Sequence, residues 1–89
     1  MTTHGKIFQI AEDYGRKLRL EDFNNYVQVI HEEGTVLFYH NATVRKYKNW
    51  YFVYPEHHNT LVYHVDEVNI YTYEKRTTIR EIDESSFNT

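Results

Sequence analysis

Between Tyr26 and Tyr73 the chain carries a succession of short β-branched and aromatic runs, and these runs are apolar at odd and even positions alike. Successive side chains of a strand point to opposite faces, so such runs have two faces to bury. Trp50, Phe52 and Tyr54 point one way, Tyr51 and Val53 the other. Leu61, Tyr63 and Val65 oppose Val62 and His64, and Val68 and Ile70 oppose Tyr71 and Tyr73. A chain of 89 residues makes one small domain, and a single helix covers one face of a sheet. The second face must be closed by the sheet curling, by another chain or by a ligand.

The runs are divided by turn signals. His31-Glu32-Glu33-Gly34 separates Tyr26–Ile30 from Thr35–Tyr39 and predicts a hairpin, with glycine available for a left-handed position. A helical stripe of Leu20, Phe23, Val27 and Ile30 competes for the same stretch, leaving helix and strand both open over 16–33; the β-branched and aromatic content favours the hairpin. Thr43–Lys48 extends the second strand or forms its own. Trp50–Tyr54 is a strand ended by Pro55, Glu56-His57-His58-Asn59 a turn, Thr60–Val65 a strand, Asp66-Glu67 a turn or bulge, and Val68–Tyr73 a strand. Thr77–Ile82 reads as a last strand or a helical turn. Ahead of the sheet, Ile7, Ile10, Ala11 and Tyr14 stand at helical spacing and Gly15 is a stop. The expected architecture is α+β: an N-terminal helix with a twisted antiparallel sheet of four to six strands, a meander able to curl into a half-barrel. It forms one domain over 1–89, with 1–5 and 83–89 as loose ends.

Several classes of function lose support. The absence of cysteine removes disulfide scaffolds, thiolate zinc sites and thiol nucleophiles. Serine occurs only at Ser85 and Ser86 in the polar tail, and Gly5, Gly15 and Gly34 form no phosphate-cradling loop. No catalytic residues or cofactor are expected, and the chain reads as a non-enzyme. His57 and His58 with His64 or His40 offer metal-donor atoms, but adjacent histidines diverge on extended chain and no helical pair exists, so no metal site is expected either. No apolar run approaches a membrane span and the Met1–Gly5 start carries no signal-peptide pattern, which makes the cytoplasm the default expectation.

Binding is what remains. Aromatic residues make up 17% of the chain, with 9 tyrosines, and tyrosine is enriched at recognition surfaces. The expectation is a small binding module that regulates or inhibits a protein partner through an aromatic sheet face or an exposed strand edge. Tyr39, Trp50, Tyr51, Tyr71 and Tyr73 are the candidate contact residues, and homo-oligomerisation is a related expectation. Small modules of this type are common among bacterial and phage accessory proteins. A first alternative is single-stranded nucleic-acid binding by Arg45, Lys46, Tyr47 and Lys48, cations interleaved with rings, helped by Arg16-Lys17-x-Arg19 and by Lys75-Arg76 with Arg80. The net charge of −3 counts against it. A second alternative is an acidic nucleic-acid mimic that occupies a nucleic-acid-binding protein. It rests on five doublets, Glu12-Asp13, Glu21-Asp22, Glu32-Glu33, Asp66-Glu67 and Asp83-Glu84.

Overall fold

The computed structural model describes residues 3–73 and 79–82. Helix α1 spans Thr3–Gly15 and a single 3-10 turn spans Leu20–Asp22. The strands follow as β1 (Asn25–His31), β2 (Val36–Tyr47), β3 (Trp50–Pro55), β4 (Leu61–His64), β5 (Val68–Tyr73) and β6 (Arg80–Glu81). The protein is therefore an α+β domain, as its runs of residues predict. The order across the sheet is β4-β3-β2-β1-β5, all antiparallel neighbours, while the short β6 adds in parallel to β2. The sheet curls without closing into a barrel, since β4 and β5 are its two ends.

The contested stretch 16–33 resolves into the 3-10 turn and β1. Gly34 takes φ 106° in the β1–β2 turn, where the His31 carbonyl accepts from its amide at 2.9 Å. Thr43–Tyr47 continues β2 rather than starting a new strand. Of the Thr77–Ile82 segment, Arg80–Glu81 forms the short strand β6; Thr77 and Thr78, the Lys75-Arg76 pair, the Asp83-Glu84 doublet, both serines and residues 1–2 lie outside the described residues.

β2 is the organising strand. Its first half pairs with β1 and its second half with β3, and the register shifts between them: Tyr39 faces Val27, but Ala42 faces Asn25. Three steps on β2 thus match two on β1, which defines a β-bulge around His40-Asn41. The extra residue reverses parity. Before it, Tyr39 lies on the inner, concave face; after it, Ala42 and Val44 do. Both halves can therefore bury apolar residues on the same side.

Two cores result, one on each face. Inside the curl, Val27, Val29, Ala42, Val44, Val53, Val68 and Ile70 pack with Tyr39, Tyr51, Leu61, Tyr63 and Ile79. On the outer face, Ile7 and Ala11 of α1 cover Tyr47, Phe52 and Tyr54, joined by Ile82 and flanked by Tyr14, Trp50 and Val62. The Tyr54 hydroxyl donates to the Ala11 carbonyl at 2.7 Å and ties helix to sheet. The second face foreseen in the sequence is thus closed largely by curling.

Gly15 ends α1 against the Tyr54 ring, where an added Cβ would stand 2.8 Å from Cε1 and 3.2 Å from Cδ1. The ring is buried and held by its own hydrogen bond, so it cannot swing aside freely. Gly15→Ala should destabilise the fold by about 1–3 kcal/mol despite the gain in helix propensity. A chemical denaturation midpoint at or above wild type would show that the contact is accommodated.

Candidate interaction face

Helix α1 covers the outer face only over the second half of β2, β3 and β4. The outer face of the first half of β2, β1 and β5 carries three cross-strand rows, given by the pairing: Tyr73–Tyr26–His40, Tyr71–Gln28–Phe38 and Asn69–Ile30–Val36. None of these nine residues is Lys, Arg, Asp or Glu. Phe38 is 51% exposed, Tyr71 53% and Tyr73 58%, the values of side chains with one side open to water.

The rings support one another. Tyr26 lies at the centre, with ring centroids 5.8 Å from Phe38, 5.0 Å from His40 and 5.5 Å from Tyr73, the last two edge-on. The Tyr73 hydroxyl donates to Gln28 Oε1 at 2.8 Å across the β1–β5 pair. Edge-to-face packing with a cross-strand hydrogen bond restricts these side chains before any partner arrives.

The five rings singled out in the sequence do not share a face. Tyr71 and Tyr73 stand on the uncovered outer face. Tyr39 and Tyr51 pack against the inner core. Trp50 is half-buried beside the helix-covered core, edge-on to His64 at 5.1 Å. Tyr26 and Phe38 were missed because their parity becomes legible only once the bulge in β2 is placed. The predicted hairpin of Tyr26–Ile30 with Thr35–Tyr39 put both rings on neighbouring strands but did not say which face they shared.

The basic cluster is dispersed. Arg45 is 6% exposed, and Nη1 donates to Thr43 Oγ1 at 2.6 Å and to the Val44 carbonyl at 3.1 Å. Its Nε donates to the Tyr14 hydroxyl at 3.3 Å, and Asp22 Oδ1 lies 3.7 Å from Nη2. Tyr47 is buried in the outer core. Lys46 reaches Glu81 at 3.9 Å, and Lys48 sits over the Tyr47 ring at 5.4 Å in the β2–β3 turn with φ 52°. No shared exposed track of these four residues is formed.

Of the acidic doublets, Glu32-Glu33 and Asp66-Glu67 come together at one end of the sheet, where the Glu32 amide donates to the Glu67 carbonyl at 3.0 Å. Asp13 pairs with Arg16 on α1, and Asp22 accepts from the Arg19 amide. His57 and His58 line a cleft of about 200 Å³ with Phe38, His40, Pro55 and Glu56, whereas His64 lies against Trp50. No group of three or more His, Asp or Glu side chains among the described residues is arranged to hold a metal. No described helix is long and apolar enough to cross a membrane. Comparisons with protein-family models, with curated proteins and with solved structures find no significant match to this chain.

Two predictions concern the groups that set this geometry. Asp22→Asn leaves the buried Arg45 guanidinium without its carboxylate; because Asp22 is partly open to water, the loss should be about 1–3 kcal/mol in denaturant titration. An unchanged midpoint would show that neutral acceptors suffice. Burial, then the neighbouring Tyr39 hydroxyl and Glu67, pushes the Tyr63 phenol up to about 12, from an ordinary value near 10. Burial raises Tyr54 as well, with the Tyr14 hydroxyl adding to it and Arg45 opposing it. A phenol raised on folding stabilises the native state below the unfolded value of about 10, and that contribution is lost as pH rises through the folded value. Stability measured against pH should therefore fall from about pH 10 upward, and Tyr63→Phe should flatten part of that fall. An equal fall in the variant would remove Tyr63 as a source.

Proposed function

We propose that this chain is a small, non-enzymatic, cytoplasmic binding module that regulates or inhibits a protein partner. The partner seats on the face built from Tyr26, Phe38, Tyr71 and Tyr73. The observation that carries this reading is the uncharged, mutually braced set of half-exposed rings on a part of the sheet that α1 leaves uncovered. Rings held in place offer contact area at little entropic cost, which is how interface hot spots are built. Each half-exposed ring offers about 100 Å². Phe38, Tyr71 and Tyr73 would then form the centre of a footprint whose polar rim comes from the acidic turns and His40.

The test is affinity capture from the native host, reconstitution of the purified partner, and titration calorimetry. Phe38→Ser combined with Tyr73→Ser should weaken binding at least tenfold, about 1.4 kcal/mol or more. Leu20→Ser, at another exposed apolar residue in the 3-10 turn and outside the three cross-strand rows, should leave affinity unchanged. Stability of the double variant should stay within about 1 kcal/mol of wild type, since these side chains are half-exposed. Unaltered affinity in the double variant would rule out this face.

A further inference from the structure

We propose that β5 pairs through its outer edge with β5 of a second copy, antiparallel about a two-fold axis at Tyr71, joining the two sheets of a homodimer. β5 ends the sheet, and among the described residues nothing pairs with its outer edge. Val68–Tyr73 keeps unbroken register with β1 over all six residues and alternates strictly between buried and exposed. It contains no charged residue, no proline, no glycine and no bulge. Edge strands of proteins that stay single are commonly blunted by one of these devices, or by being short. β4, at the opposite end of the sheet, has four residues.

The occupant follows from the alternation. In an antiparallel pair the residues directly opposite share a face, so outward residues must meet outward residues. An axis at Tyr71 sets Tyr71 against Tyr71 of the copy and Asn69 against Tyr73 of the copy on the outer face. On the inner face it sets Ile70 against Thr72. No charged side chain within β5 meets its like, so the net charge of −3 on each copy does not oppose the seam along the strand.

The dimer also makes the two uncovered faces continuous. One copy offers about 300 Å² of half-exposed ring. Two copies offer about 600 Å², closer to the roughly 800 Å² per partner of a standard interface.

Sedimentation equilibrium should show the mass rising to twice 10.9 kDa as concentration increases from micromolar toward millimolar. Tyr71→Lys sets two ammonium groups opposite each other at the axis and should weaken self-association at least tenfold, while an unchanged circular dichroism spectrum reports the intact fold. The chain has no cysteine, so Tyr71→Cys should give a disulfide-linked dimer on mild oxidation, and Phe38→Cys, two strands from the seam, should not. A wild-type monomer throughout, an assembly larger than two from head-to-tail pairing of β5 with β4, or cross-linking at Phe38→Cys in preference to Tyr71→Cys would each overturn the proposal. It stands apart from the partner reading: Phe38→Ser should lower partner affinity and leave the dimer intact.

Discussion

The β-bulge at His40-Asn41 is the constraint on which both cores depend. β2 is twelve residues long and belongs to two pairings that run in different directions, toward β1 at one end and β3 at the other. A strand that turns this corner without an extra residue would present Val44 to the helix and Arg45 to the concave core, because a shift of one reverses every side chain beyond it. With the bulge, Val44 joins the inner valines and Arg45 faces Tyr14 and Asp22. The bulge thus lets one strand serve two layers, and it allows a buried guanidinium to find its hydroxyl, carbonyl and carboxylate neighbours.

That arrangement divides the aromatic residues by burial. Phe52 and Tyr54 bind the helix to the sheet, and Tyr39, Tyr51 and Tyr63 close the concave side. Burial takes the Tyr54 and Tyr63 hydroxyls largely out of water, which is why their phenols resist ionisation. Tyr71, Tyr73 and Phe38 remain open to water, because α1 packs over β3, β4 and the second half of β2 instead.

Most of the fold was legible in the sequence, since strand period and turn chemistry act locally. Gly34 with the β-branched flanks of 26–30 and 35–39 defined the hairpin, Pro55 the end of β3, and the alternation of 68–73 the last long strand. Leu20, Phe23, Val27 and Ile30 looked helical because the 3-10 turn and β1 place apolar residues at spacings of three and four by coincidence. The candidate face was less legible. Tyr39 and Tyr71 are both tyrosines in strands, but which parity faces the helix depends on a bulge that no turn residue announces. Arg45-Lys46-Tyr47-Lys48 resembled a phosphate track for the same reason: alternation sends Arg45 and Tyr47 into the outer core, and Lys46 to the other face.

A helix of thirteen residues is about 20 Å long, and α1 packs over β3, β4 and the second half of β2. Placed there, it leaves the outer face of β1 and β5 uncovered. Curling solves the inner face but works against the outer one, since the convex side of a bent sheet has the larger area. Five antiparallel strands and one such helix therefore leave a stretch of convex face that α1 does not cover. Charged residues would have made it an ordinary surface without cost to either core, because Tyr71, Tyr73 and Phe38 contribute to neither. Phe38 and Tyr73, braced by Tyr26 and Gln28, are therefore held in place by one another and not by either core.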